Sequence, residues 1–201
     1  FEERSFKDVF NVTKLAGFEY TKHFEFTDAK EIIALRAQNV KNDGLKLDEV
    51  KYISHTLSDF LIRSKLFKDD IVITFIGAGT GESAIIDEDN KYHCAPNIAK
   101  MTLKNKEVIL PLFALAQIRS PYVQNQIEEI TRQTAQPSLS MKIIRKLKFK
   151  VPPIEKQKEF LKKTTLAQDI TDKLKREFNK SDTLISALLP SVLSKAFNGA
   201  L

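Results

Sequence analysis

"DIVITFIGAGTGESAIID" runs from Asp70 to Asp87, and the fold turns on what its glycines do. An apolar run followed by a glycine-rich loop opens a nucleotide-binding α/β domain if a helix comes next, and a β-hairpin if a strand does. A Walker loop needs a lysine directly before its Ser/Thr to reach the β- and γ-phosphates. Here Glu82 stands before Ser83, and Ile76 occupies the place of the first glycine. A carboxylate there repels a triphosphate. The dinucleotide fingerprint fails at the same residue, because the third glycine after Gly77 and Gly79 is again replaced by Glu82. "SAIID" is short and apolar at Ala84–Ile86, which fits a strand better than the required helix. The stretch therefore reads as strand, glycine turn, strand, with no nucleotide bound.

Working outward, the region from Phe1 to about Lys150 is cut into short runs rich in β-branched residues: "EIIALRAQNV", "KYIS" and "IAKMTL", with "GLKL" following a "KND" turn and "DEDNK" separating two more. "VILPLFALAQIRSPYVQNQIEEI" breaks the pattern. Leu112, Leu115, Ala116 and Ile118 recur at helical spacing, with Pro111 suited to a first turn. After "VPPIEKQ" the texture changes again. No glycine occurs from Val151 to Asn198, and Leu166, Ile170, Leu174, Phe178, Ile185, Leu188 and Val192 follow at steps of three or four with one gap of seven. That is one face of a long helix, roughly 60 Å over forty residues, whose apolar stripe needs another helix beside it. Pro190 should kink or split this helix near Leu189, and Gly199 supplies a stop. The expected fold class is α+β: a strand-rich mixed domain over 1–150 and a helical arm over 151–201.

The chain has 201 residues, 42% apolar and 29% charged, which is a globular composition long enough for one core plus an appendage. Its net charge of +6 biases it toward anionic partners such as nucleic acid. A single cysteine, Cys94, rules out an internal disulfide framework and suits a reducing cytosol. No secretory signal or membrane-length apolar run is seen, so a cytoplasmic location in a bacterium or archaeon is expected. The chain begins at Phe1, leaving room for an upstream domain.

Catalytic constellations fail one by one. Asp70 with Asp89 and Lys91 imitates a nuclease metal site, but "DEDNK" has the composition of an exposed turn, a poor platform for metal ligands. "VPPI" keeps the prolines of an amino-methyltransferase motif yet has Val151 and Ile154 where the hydrogen-bonding and stacking residues belong. His23, His55 and His93 lie far apart without metal-ligand spacing, and Cys94 points away from His93 if the segment is a strand. No catalytic or metal site is expected.

What remains is binding. Polar and basic residues gather in "YTKH" (Tyr20–His23), "RAQN" (Arg36–Asn39) and "TRQTAQPS" (Thr131–Ser138). Arg, Asn and Gln make paired hydrogen bonds to base edges, while lysine grips phosphate. Each loop alone is equally a solvated surface.

Together, "GFEYTKHF", "IIALRAQNV", "RSKLFKDDIVITFIGAGTGESAII", "PLFALAQIRSP", "RQTAQPSLS", "VPPIEKQKEF" and "LLPSVLSKAFNGAL" make the chain similar to the specificity subunit of type I restriction-modification systems, over essentially its whole length. One departure is Asp69, which stands where the family's glycine usually precedes the strand. The resemblance implies one target-recognition domain reading half of a bipartite duplex DNA sequence. It also implies a conserved helical segment that packs as an antiparallel coiled coil with another such segment and docks methyltransferase subunits. The subunit is expected to be non-catalytic and to hold no cofactor. S-adenosylmethionine, ATP and Mg serve the partner methyltransferase and restriction/translocase subunits. The chain is then half of a longer subunit or a half-subunit pairing with its own copy. On this reading Tyr20, Lys22, His23, Arg36, Asn39, Thr80, Arg132, Gln133, Gln136 and Ser138 face DNA, with Arg36, Gln133 and Gln136 reading bases and Lys22 and Arg132 gripping phosphate. Two alternatives stay open: the recognition tail of a fused single-chain restriction-methylation enzyme, and an arm that serves dimerisation alone.

Overall fold

A computed structural model describes residues 2–132 and 138–197. In chain order these form β1 (Glu2–Ser5), α1 (Phe6–Val9), β2 (Phe10–Lys14), α2 (Gly17–His23), β3 (Ile32–Leu35), β4 (Val40–Lys41), β5 (Gly44–Leu45), β6 (Lys51–Ile53), α3 (His55–Phe60), β7 (Ile71–Thr74), β8 (Ser83–Ile85), β9 (Tyr92–Cys94), β10 (Ile98–Leu103), α4 (Pro111–Ile118), α5 (Pro121–Thr131), α6 (Met141–Lys146), β11 (Lys148–Val151) and α7 (Ile154–Phe197). The architecture is a mixed α+β domain with several small sheets and a long C-terminal helix. It divides into two compact units, residues 1–157 and 158–201.

The opening stretch is a hairpin. β7 and β8 pair antiparallel, Ile71 opposite Ile85 and Ile73 opposite Ser83, with the glycine loop between them. They extend a four-stranded sheet in the order β2-β10-β7-β8. A second sheet, β6-β3-β9, pairs β3 antiparallel to β6 and parallel to β9. Strand alternation splits its side chains between two cores. Ile32 and Ala34 of β3 join Leu15, Phe24, Ile53 and Leu61, while Leu35 joins Val72, Ile86, Tyr92, Cys94 and Ile98. A third cluster is aromatic: Phe6 meets Phe10 and Phe149 with ring centroids 5.4 Å away in each case. It lies where β1 pairs with β11 and ties residues 2–5 to residues 148–151.

The predicted central helix is two helices. Proline opens each at its first turn, α4 at Pro111 and α5 at Pro121, and the break falls at Ser120, which the ring of Pro121 pushes out of helical geometry. "RAQN" is also not strand but a 3-10 turn over Ala37–Asn39. Pro190 does not split the last helix: α7 continues through it over 44 residues. In the second unit Leu166, Ile170, Leu174, Phe178, Ile185, Leu188 and Val192 are 50–73% exposed.

Asp69 explains the glycine expected in its place. Its φ is +71°, the left-handed region, and its N–H bonds Ile86 O at 2.9 Å to close the turn into β7. Aspartate tolerates this conformation better than most side chains.

Candidate nucleic-acid interface

The nuclease arrangement does not assemble. Asp70 is 3% exposed and faces inward, accepting from Phe67 N at 2.8 Å and pairing with buried Lys100 at 3.2 Å. Asp89 instead caps Lys68 N, and Lys91 pairs with Glu88. Cys94 is fully buried, which pushes its thiol up to about 12, so no thiolate forms near neutral pH. Among the described residues no group of His, Cys, Asp and Glu is placed to hold a metal ion, and no helix is long and apolar enough to cross a membrane.

One rim of the four-stranded sheet gathers the exposed polar chemistry. β2 and β7 both run antiparallel to β10, and they end on its two sides where it begins, Lys14 opposite Ala99 and Thr74 opposite Ile98. Two segments leave from this rim: α2, three residues after Lys14, and the glycine loop after Phe75. Lys14 Nζ lies over the Phe75 ring, 5.1 Å from its centroid. Thr13 Oγ1 donates to the carbonyl of exposed Arg63 at 3.3 Å, and Arg145 donates to Val12 O at 2.8 Å. Lys14, the backbone of Arg63 and the guanidinium of Arg145 are thus set along β2, from the strand itself, the turn after α3, and α6.

The glycine loop is clamped on both flanks. On one, Ile76 bridges to Ser138 and Leu139 N bonds Phe75 O at 2.8 Å, which brings the end of "TRQTAQPS" against the hairpin. On the other, Glu82 pairs with Lys41 at 2.7 Å and Ser83 N donates to Asn42 Oδ1 at 3.2 Å. Beneath, Arg119 donates to Ser83 O at 2.7 Å; burial lowers its pKa, with nearby Asp43 opposing the shift. Two glycines are required here. Gly77 has φ +109° and Gly81 φ +96°, and a Cβ on Gly81 would also lie 3.1 Å from Gln124 Oε1. Glu82, standing where a Walker lysine would, is thus a brace inside the loop.

The sequence-derived candidates separate on this geometry. Tyr20, Lys22 and His23 form the exposed end of α2, a helix that buries none of its residues. Thr80 sits in the glycine loop with Oγ1 donating to Gly77 O at 2.7 Å, and exposed Ser138 lies beside Ile76. These five belong to the rim. Arg132 is exposed at the end of α5 and pairs with Glu128 at 2.6 Å. Gln133 and Gln136 lie outside the described residues. Asn39 is turned away from solvent: 2% exposed, it donates to Lys46 O at 2.8 Å and Glu49 O at 3.0 Å and accepts from Arg36 N at 3.1 Å. It braces the 36–49 loop and offers no free edge to a base. Arg36 shares that task, donating to Glu49 O at 3.1 Å. Lys14, Arg63 and Arg145 were not among the sequence candidates; the one local signal was "FNVTK" ending in a lysine just before Gly17.

The family model for the type I restriction modification DNA specificity domain matches residues 1–180. The chain is 27% identical over 175 residues to the type I restriction enzyme EcoBI specificity subunit of Escherichia coli, covering 87% of this chain and 36% of that protein. Two solved structures share the fold. The HsdS subunit of Thermoanaerobacter tengcongensis gives a TM-score of 0.63 at 12% identity, over 100% of this chain and 45% of that one. A chain solved in work on complex assembly and conformational transition of the type I R-M system gives 0.68 at 14% identity, over 97% and 49%. This chain spans less than half the length of each of these proteins.

Proposed function

The chain belongs to the type I restriction modification DNA specificity family, and from that premise we propose that it reads one half of a bipartite duplex DNA target through the rim of its four-stranded sheet. The observation that carries this reading is that Lys14, Arg63 and Arg145 are all placed along β2, beside a braced glycine loop and an α2 that buries none of its residues. Cations so placed grip phosphates and set orientation, while residues on the loop and α2 approach base edges. Lys22, Lys14, Arg63, Arg145 and Arg132 hold the backbone. Tyr20, His23, Thr80 and Ser138 contact DNA, and Gln133 and Gln136 read bases.

Residues 1–150 serve as the target-recognition domain and residues 151–201 as spacer. The stripe from Leu166 to Val192, at least half exposed throughout, packs antiparallel on a second such helix, from a longer chain or a second copy, and the pair docks methyltransferase subunits. The chain itself is non-catalytic. Methylation with S-adenosylmethionine and ATP- and Mg-dependent cleavage belong to partner methyltransferase and restriction subunits.

The test is selection from a randomised duplex library at fixed salt with excess competitor, on this chain alone and with a methyltransferase subunit. Recovery of a short motif repeated as a spaced inverted pair is expected from a self-paired half-subunit, and a single half-motif from a fragment of a longer one. No enrichment in either condition defeats the reading. Replacing Lys14 or Arg63 by Ala should lower the slope of log affinity against log salt by about 0.9 for each phosphate left without its cation.

A further inference from the structure

Four aromatic rings stand in the open around α2 and α3. Phe60 is 65% exposed, Phe18 60%, Phe26 42% and Tyr20 39%. α2 buries none of its residues, so Phe18 contributes little to the fold. Phe18 and Lys22, one turn apart, share its exposed face. His23 packs edge-on against Phe60 at 5.2 Å between ring centroids. The carboxylates on α2 and α3 themselves are engaged: Glu19 caps Ala16 N at 2.9 Å, and Asp59 pairs with Lys65 at 2.6 Å. What α2 and α3 turn to solvent is Phe18 with Lys22 one turn on, and Phe60 against His23.

This patch is continuous with the rim. Phe60 ends α3, and the turn after it carries Ile62, 52% exposed, and Arg63, whose carbonyl accepts from Thr13 beside Lys14. Grouped exposed apolar side chains mark a surface that meets a partner. A protein partner would be served by the rings alone. Cations beside the rings and along the adjoining rim match a polyanion with apolar faces, which is stacked nucleic acid bases.

We propose that Phe18 and Phe60 form an aromatic wedge that enters a base step of the bound duplex, while Lys22 and Arg63 hold the flanking phosphates. The proposal rests on the DNA-recognition reading and adds a second mode of discrimination to it. Rings inserted between base pairs unstack the step and kink the duplex, and pyrimidine–purine steps open most easily. The wedge thus favours a sequence through its deformability, without a hydrogen bond to any base edge.

The test uses the full chain and the duplex recovered by library selection, with 2-aminopurine substituted at each position in turn, comparing wild type with Phe18→Ala and Phe60→Ala. Both side chains are more than half exposed, so both variants should keep the wild-type melting temperature. Wild type should raise the fluorescence severalfold at one step, and at least one variant should abolish the rise. That variant should also weaken binding about tenfold while leaving the salt slope unchanged, because stacking and not charge is removed. A bound duplex with no fluorescence rise at any position, or the same rise in both variants, overturns the wedge and leaves DNA recognition standing. Intact DNA response combined with failed assembly onto methyltransferase subunits assigns the rings to a protein and also overturns it. Absence of any bound duplex at about 50 mM salt, where phosphate binding is strongest, overturns both readings.

Discussion

In α4, Phe113, Ala114, Leu115 and Ile118 are buried in the domain that the helix belongs to, whereas in α7 Leu166, Ile170, Leu174, Phe178, Ile185, Leu188 and Val192 are 50–73% exposed. Both helices repeat apolar residues at the same spacing. Periodicity therefore specifies a helix and its face, but not whether the chain itself covers that face. A stripe that its own domain covers holds the fold together; a stripe left open contributes little to the fold of its own chain.

The sharpest way to break this contrast is to truncate one phenylalanine from each helix. Phe113→Ala removes a ring that is 3% exposed and should cost about 3–5 kcal/mol in denaturant unfolding. Phe178→Ala, 73% exposed, should move the same midpoint by less than about 0.5 kcal/mol. Comparable losses would mean that the α7 stripe is covered in solution, within the chain if it is monomeric or by a second copy if the midpoint depends on protein concentration, and the two helices would no longer differ.

Gln157 sharpens the comparison at the point where α7 leaves the first unit. Fully buried in the first turn, it accepts from Leu110 N at 2.9 Å and donates to Val108 O at 2.9 Å and Pro152 O at 2.8 Å. One side chain thus joins the start of α7 to the N-terminus of α4. Gln157→Ala strands those backbone groups and should destabilise by about 2–3 kcal/mol. Gln157→Glu should weaken the site by a smaller amount at low pH, where the protonated acid keeps one donor. A neutral Gln157→Ala would show that water replaces the amide and that the join is not structural.

Much of the domain is legible in the sequence because its elements are local. The hairpin follows from Glu82 and the short apolar runs on either side of the glycines, and the long helix from its stripe. The site is legible only in part. Composition marks "RAQN" as polar but cannot tell an asparagine facing solvent from Asn39, whose amide bonds Lys46 O and Glu49 O inside its own loop. Lys14, Arg63 and Arg145 are distant in sequence, and only tertiary contacts with β2, Thr13 on the Arg63 carbonyl and Arg145 on Val12 O, place them along one strand. α2 is hidden from pattern reading because it has no apolar face to give it a period; what marks its start is Glu19 capping Ala16 N.

A polar group inside the filled region gives a pH test of the same contrast. His93 is fully buried, with Nδ1 2.9 Å from Cys94 O and Nε2 3.2 Å from Leu61 O. A neutral imidazole has one N–H and can serve only one of these carbonyls. Burial nonetheless outweighs the two carbonyls and lowers the pKa from its usual 6.5, with Lys100 adding to the shift. A depressed folded pKa means that the unfolded chain binds the proton first. The His93 contribution is therefore complete above pH 6.5 and is lost as pH falls toward the folded value. Unfolding free energy measured between about pH 7.5 and 5 should decline more steeply in wild type than in His93→Asn. Identical slopes would show that the buried imidazole charges without penalty.

The smallest effect is expected at Asp69, where the surface and the backbone make opposing demands. At φ +71° the side chain holds a conformation costing about 1 kcal/mol for a residue with a Cβ, less for aspartate than for most. Its carboxylate pairs with Lys106 at 2.7 Å, but both partners are substantially exposed, so the pair contributes about 0–1 kcal/mol. Glycine removes both terms and adds about 0.5–1 kcal/mol of unfolded-state entropy to overcome. Asp69→Gly should therefore shift stability by less than about 0.5 kcal/mol either way. Added salt should narrow the difference further by screening the Lys106 pair in the wild type. A loss well beyond that range would mean that the ion pair, and not the left-handed turn bonded to Ile86, holds the entry to β7. The glycine expected from the resemblance and this chain's aspartate would then be two different solutions at one position, instead of one backbone requirement met by two residues.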